Sequence, residues 1–457
     1  MRDAFCESET PSIPITLVER ASSPTWRQAL DDRDRQWAEA NGFDGADGKM
    51  LALPDGAGRI ASVLLGVGAP DDIYALAPAA ANLPPGDYRI AGAPGAEHAN
   101  RLALGWGLAA YRFDKYRSQP KPQARLAWPA EADRNRVLRE LAAIGLVRDL
   151  VNIPANDLGP AALAERARGL AEAHGAEIAI TVGDALIAGN FPAVHAVGRA
   201  AGEAPRVVEI LWGDQSHPEV ALIGKGITFD TGGLDIKTGS TMALMKKDMG
   251  GAAHALALGQ MIMAARLPVR LRILVAIAEN AIGPNANRPG DVIATRAGLT
   301  VEIGDTDAEG RLVLADMLTA ACEGAPAAII DFATLTGAAR VALGPDLPAL
   351  FATDDLAGDI LAAAEAEADP VWRMPLWQPY RRNLDSKIAD MNNIASGSFA
   401  GAIHAALFLQ SFVKPGIPWA HLDLYAWNAA ARPGRPAGGE AFAIRGLFRM
   451  LAGRYAR

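Results

Sequence analysis

Short apolar runs alternate with longer segments of helical periodicity along most of this chain. Residues 220–223, 271–277 and 327–330 are nearly continuous apolar stretches of strand length, the pattern of strands buried on both faces. Residues 251–265, 310–321 and 401–413 are apolar over helix length. Strand-then-helix repetition predicts a largely parallel central sheet flanked by helices. Val137, Leu138, Leu141, Ile144, Leu146 and Val147 recur at roughly helical spacing with charges opposite, which predicts a helix over 130–150. Pro154, in the segment 152–157, stops it. Upstream, apolar runs such as 60–67 alternate with a helical pattern around 101–111, the signature of a smaller α/β domain. Pro120, Pro122 and Pro129 mark 120–129 as a linker. The expected organisation is α/β in two domains. An N-terminal domain covers 1–129, a connecting helix 130–151 and a catalytic domain 152–457.

Composition narrows the class. A chain of 457 residues is too long for one ordinary core. With 50% hydrophobic and 21% charged residues it is globular rather than disordered. A net charge of −8 argues against a general nucleic-acid binder. Only Cys6 and Cys322 are present, so a disulfide framework is ruled out and a reducing compartment fits. Residues 1–9 lack the apolar core of a signal peptide. The most apolar stretches, 252–265 and 403–413, are interrupted by His254, Gln260, His404 and Gln410 and are too short to span a bilayer. The expectation is a cytoplasmic protein without membrane contact.

Chemistry concentrates in two places. Lys225, Asp230, Lys237 and Asp248 follow the first apolar run, the first three on a glycine-broken stretch; Asp307-Ala308-Glu309-Gly310-Arg311 follows the segment 299–303. Both lie where α/β sheets place their sites, beyond the carboxyl ends of strands. Close-set carboxylates suit hard divalent cations, and several can share one pocket only if cations neutralise them. This predicts a carboxylate-built metal site, dinuclear, with cationic helpers. Asp307 and Glu309, two apart, share a side if that segment is extended. Arg311 would add its charge at the start of the following helix, already favourable to anions. The glycine-rich stretch 223–233 is neither a Walker loop nor a dinucleotide fingerprint. The plainer alternatives are an ion pair between Lys225 and Asp230, and an ordinary helix cap at 307–311. His254 and His404 read as satisfied core residues and His421 as a structural strand residue near the domain's edge.

At this level of detail the chain resembles the leucyl aminopeptidase (cytosol aminopeptidase) family of dimetal peptidases. Asp305-Thr306-Asp307-Ala308-Glu309-Gly310-Arg311-Leu312 is similar to that family's Asn-Thr-Asp-Ala-Glu-Gly-Arg-Leu signature. Gly224-Lys225-Gly226-Ile227-Thr228-Phe229-Asp230 resembles its lysine–aspartate segment, and Asp248-Met249-Gly250-Gly251, Asn287-Arg288-Pro289-Gly290-Asp291, Ala333-Thr334-Leu335-Thr336-Gly337 and Ala389-Asp390-Met391 are also similar. The resemblance runs from about residue 152 onward; the N-terminal part carries none.

That resemblance implies a metal-dependent aminopeptidase releasing N-terminal residues, leucine and other apolar ones, from peptides with a free N-terminus. It implies two divalent ions, Mn²⁺ or Zn²⁺. Lys225, Asp230, Asp248 and Glu309 would hold the tighter one, and Asp230, Asp307 and Glu309 the more exchangeable one. Lys237 would stabilise the tetrahedral oxygen, and Arg311 would hold a bicarbonate acting as general base. Met245, Thr334 and Gly337 would line the pocket for the first side chain, and the assembly would be a homohexamer. The sequence departs from the family pattern at Asp305, where asparagine is usual, at Thr231, at Asp235 and Thr238, and after Asp423. A rival reading, the catalytic fold retained as a binding or DNA-associated regulatory protein, is disfavoured by the intact set of polar site residues and by the acidic charge.

Overall fold

The computed structural model describes residues 1–119 and 122–456. The chain divides into two compact units, 1–145 with 429–437, and 146–428 with the C-terminal segment from 438. In sequence, the division after Gly145 falls within the helix Arg134–Asn152.

In the first unit six strands form one sheet, in the order Phe5–Cys6, Ala124–Ala127, Gly86–Ile90, Ile13–Glu19, Ile60–Val67 and Met50–Pro54. All neighbours are parallel except the last pair. The helix Ala96–Ala109 buries Trp106 completely, and its indole N–H donates to Ala4 O at 3.0 Å. The stretch read as a linker is different in kind: Ala124–Ala127 is an interior strand paired on both sides. The prolines flank it rather than break it, since Pro129 follows the last paired residue and Pro122 precedes the first. Pro120 and Lys121, also within that stretch, lie outside the described residues, as does Arg457 at the end of the expected catalytic domain.

In the second unit eight strands run in the order Trp372–Arg373, Ala349–Ala352, Trp419–Asp423, Ala328–Ala333, Glu219–Asp230, Arg270–Asn280, Arg206–Trp212 and Glu177–Val182. The four inner strands, from Trp419–Asp423 to Arg270–Asn280, are mutually parallel. Ala349–Ala352, Arg206–Trp212 and Glu177–Val182 each run antiparallel to their inner neighbour, so the sheet is mixed, with a parallel centre.

Strand periodicity sorts the central strand onto two faces. Ala221 and Ile223 join a core with Leu312, Val313 and Leu318 of the helix Gly310–Glu323. Leu222 and Gly224 face the helix Gly250–Ala265, where a Cβ on Gly224 would lie 2.5 Å from Ala252 Cα. Gly251 and Gly259 serve the same contact from the helix side, as a Cβ there would meet Phe332 O at 2.1 Å and Ile273 Cδ1 at 2.3 Å. The helix therefore lies directly on the sheet and is buried almost all round. Each fully buried Leu, Ile or Met in it contributes about 1.5–3 kcal/mol.

The glycines of 224–226, which look like a break in sequence, are thus packing residues within a strand that continues unbroken to Asp230. Gly226 is held by the neighbouring strand, where a Cβ would meet Ala276 O at 2.7 Å. Lys225 and Asp230 consequently stand on the strand rather than beyond it.

Candidate active site

The carboxyl ends of the four parallel strands converge. Asn280 and Asp230 are register partners at the ends of adjacent strands, as are Ala333, just before Thr334, and Asp423. Lys225 shares the face of Ile223 and reaches the start of the helix Gly310–Glu323. Its buried Nζ lies 2.7 Å from Asp248 Oδ2 and 2.9 Å from Glu309 Oε1, and donates to Thr334 O at 3.2 Å. The simple ion pair of Lys225 with Asp230 is not what forms. Asp230 pairs instead with Lys237, at 2.8 Å, and Lys237 also contacts Asp307.

Lys237 returns to Asp230 because the chain reverses at Gly232 and Gly233, with φ of +88° and +67°, a region that favours glycine. Lys237 N–H closes the loop on Thr231 O at 2.9 Å. Asp235 and Thr306 then tie this loop to the second cluster. Thr306 N–H donates to Asp235 Oδ2 and Asp235 N–H to Thr306 Oγ1, both at 2.8 Å, while the Thr306 hydroxyl donates to Gly232 O at 2.6 Å.

Residues 305–309 form a turn rather than an extended segment. Asp307 N–H donates to Asp305 Oδ1 at 2.7 Å, and Glu309 already has helical dihedrals as the residue capping Gly310–Glu323. The side-chain hydrogen bond made the turn, where two-residue spacing alone suggested a strand. Asp307 and Glu309 still meet: oxygens of Asp230, Asp307 and Glu309 lie within 4.8 Å of one another, the only such group among the described residues.

Electrostatics make this cluster costly as it stands. Burial, then the charge of Asp230, pushes the Asp307 carboxyl up to about 7 and the Glu309 carboxyl up to about 8. Burial would favour a neutral Lys225, but Asp248, Glu309 and Asp230 outweigh it and hold the ammonium above its ordinary value. Asp248 Oδ2 and Glu309 Oε1 are buried with the Lys225 ammonium as their shared ion-pair partner. Four carboxylates facing only two lysines form a donor set of the hard, anionic kind that suits divalent cations.

The site opens into a cavity of about 390 Å³. Lys225, Asp230, Lys237, Asp248, Asp307 and Arg311 line it, together with Met245, Thr334 and Gly337; Glu309 stands behind them, 2% exposed. Arg311 Nη1 donates to Asn393 O at 2.6 Å, while its Nε is buried without a partner. Burial lowers that guanidinium to about 10. Thr334 donates to Asp248 Oδ1 at 2.8 Å and fixes that carboxylate.

Sequence reasoning missed several residues here. Asn280 holds Asp230 through an Nδ2–H to Oδ1 bond of 2.8 Å, and its place three residues past a predicted strand was the available signal. Asn393 accepts from Gly304 N–H and donates to Asp305 O, both at 2.7 Å, thereby shaping the 305–309 turn. Only its nearness to the Ala389-Asp390-Met391 motif hinted at it. Lys247 also lines the cavity, and burial lowers its amine to about 8. The histidines are structural. His254 accepts Phe442 N–H at 3.0 Å, with its other nitrogen 2.6 Å from Gly250 O, and His404 meets Asn383 at 3.0 Å. His421, 2.5 Å from Asp331, lies on an interior strand rather than near the edge.

Comparison with known proteins extends over both units. Residues 145–448 match the family model described as cytosol aminopeptidase family, catalytic domain, and 13–129 match that of the M17 aminopeptidase N-terminal domain. The second match falls on the region where the sequence by itself suggested no relationship. A crystal structure of a cytosol aminopeptidase from Coxiella burnetii is 46% identical, with a TM-score of 0.95, over 99% of this chain and 100% of that one. The bottromycin maturation enzyme BotP, in complex with Mn, is 37% identical with a TM-score of 0.86, over 97% and 99% of the two chains. A probable cytosol aminopeptidase from Leifsonia xyli is 40% identical over 90% of this chain and 89% of its own length.

Proposed function

Because this chain belongs to the cytosol aminopeptidase family and is a peptidase of that kind, we propose that it removes N-terminal residues, leucine and other apolar ones among them, with two divalent cations at the carboxylate cluster. One observation carries the reading: oxygens of Asp230, Asp307 and Glu309 lie within 4.8 Å of one another beside the buried Asp248, at the wall of the cavity. Lys225, Asp230, Asp248 and Glu309 would hold one cation and Asp230, Asp307 and Glu309 the other, Mn²⁺ or Zn²⁺ both suiting the donors. When bound, such a pair polarises a scissile carbonyl and acidifies a water.

The protein's own groups do the rest. Lys237, ten percent exposed at the cavity wall, donates to the oxygen on which charge develops, a contribution of roughly 3–4 kcal/mol for a positioned donor. Arg311, with its unpartnered Nε, would hold a bicarbonate, which would supply a general base there. Thr334 keeps Asp248 oriented. The anionic wall receives the peptide's free α-amine, and an internal peptide bond offers none. Met245 and Gly337 border the space for the first side chain.

Among the described residues no helix is long and apolar enough to cross a membrane. The relatives' names support a cytoplasmic location. The exposure of the large apolar side chains Trp372, Trp377, Ile388 and Phe399 supports a homohexamer that would bury them. Free and N-acetylated leucyl peptides distinguish the exopeptidase reading: only the free peptide should be cleaved, and equal rates on both would refute it.

A further inference from the structure

Two cations of the cavity wall, Lys247 and Arg340, have no part in the chemistry above. Lys247 is two residues after Met245 on the turn Met245–Lys247. Its side chain is 6% exposed, and the carboxylate within reach, Asp248 Oδ1, is 4.0 Å away and already bonded by Thr334. Lys247 Nζ stands 5.0 Å from the centre of the Tyr425 ring, and Arg340 Cζ stands 4.7 Å from the same ring. Arg340 lies one turn beyond Gly337 on the helix Gly337–Leu343 and makes no ion pair among the described residues.

The other nearby acid cannot serve them. Asp423 Oδ1 accepts Leu335 N–H and Thr336 N–H at 3.0 and 3.1 Å, and its Oδ2 accepts the Thr336 hydroxyl at 2.6 Å. A buried ammonium whose nearest anion is 4.0 Å away is costly; the Tyr425 ring that both cations approach offsets part of that cost. The wall therefore presents two positive charges whose nearest counter-anion, Asp248, is 4.0 Å from Lys247, and beside it an alanine Cβ at Gly337 would meet nothing within 4 Å.

We infer that the pocket for the first side chain accepts an acidic residue, so that peptides beginning with glutamate or aspartate are substrates alongside those beginning with leucine. The inference rests on the aminopeptidase reading and on Met245 and Gly337 bordering that pocket. Lys247 meets the side-chain carboxylate, and Arg340 adds its charge from the rim. The methylene stem of Lys247 and the thioether of Met245 keep the wall apolar enough for leucine. N-terminal lysine and arginine are disfavoured, because a third cation would enter the same space.

The test compares kcat/KM of the Mn²⁺-loaded enzyme on glutamyl, glutaminyl, leucyl and lysyl anilides. Glutaminyl is the neutral isostere of glutamyl, so their ratio isolates the charge. The expected ratio favours glutamyl by about tenfold to a hundredfold, the range of a charge-assisted contact, with lysyl slowest. Lys247→Met should bring the ratio close to one. Because both substrates are measured in the same variant, any loss of metal or folded protein cancels. If Lys247→Met does not fold, Arg340→Gln, at an exposed position, should still lower the ratio. Free glutamate should also inhibit leucyl anilide cleavage more strongly than free glutamine. A wild-type ratio at or below one, or an unchanged ratio in the variants, overturns the inference. Leucyl cleavage without glutamyl preference would do so while leaving the aminopeptidase reading intact; no cleavage of any anilide would instead remove that reading.

Discussion

Replacing Gly310 with alanine tests how Lys225 is positioned. Gly310 opens the helix Gly310–Glu323 and has no positive φ, so alanine suits the backbone and gains up to about 1 kcal/mol in helix propensity. Its Cβ, however, would lie 2.6 Å from Lys225 Cε, 2.7 Å from Cδ and 2.8 Å from Nζ. Ordinary contact begins near 3.4 Å, so the lysine arm must retreat by about 0.8 Å. Lys225 is 2% exposed and its Nζ is fixed by Asp248, Glu309 and Thr334 O, so the retreat breaks those contacts. Overpacking costs about 1–3 kcal/mol; set against the propensity gain, the net loss of stability is about 2 kcal/mol or less. A displacement approaching 1 Å at a positioned group costs on the order of 10²-fold in rate. The expected variant is folded, with kcat/KM down by about 10² and weaker metal retention. Thermal unfolding, bound metal and anilide kinetics measure the three. Gly358→Ala is the control, since a Cβ within the helix Asp354–Ala366 meets nothing within 4 Å, and it should leave activity intact. Wild-type activity and metal content in Gly310→Ala would refute the reasoning.

Lys237→Ala should retain bound metal while kcat falls by about 10²–10³; near wild-type kcat would remove Lys237 from the oxyanion role. Asp305→Asn keeps an acceptor for Asp307 N–H but loses a charge at the cavity. Half-activation should then need several-fold more Mn²⁺ with little change in kcat at saturation, and superimposable Mn²⁺ titrations would make Asp305 a purely structural residue. His254, lowered from 6.5 to about 4 by burial, is held neutral in the fold. Its contribution is full above pH 6.5 and is lost as pH falls toward 4, about 3 kcal/mol in all. Urea unfolding of wild type and His254→Gln across that window should show a shallower pH dependence in the variant; equal slopes would contradict the assignment.

Much of this site was legible because its chemistry clusters in sequence. Lys225, Asp230, Asp307 and Glu309 sit beside strand and helix signals strong enough to place them at one end of a sheet. The misreadings came from glycine and from side-chain bonds. Gly224 and Gly226 read as interruptions, yet each is small because a neighbouring backbone passes within 3 Å of where a Cβ would be. The 305–309 turn depends on Asp305 accepting a backbone N–H and on Asn393, 88 residues away from it. Periodicity carries no trace of such long-range pairing. The same holds for Asp235 and Thr306, which join the two clusters across 71 residues. The linker reading of 120–129 failed because prolines flanking a four-residue strand look locally like prolines in a loop.

The central claim is that hydrolysis depends on two cations held by these carboxylates. Its most direct test removes all metal, then measures leucyl anilide hydrolysis against Mn²⁺ bound per subunit, for wild type and Glu309→Ala. Activity should be absent without metal, reach its maximum at two ions per subunit, and stay absent in Glu309→Ala, which should bind fewer. Full activity in protein verified to be metal-free would contradict the account.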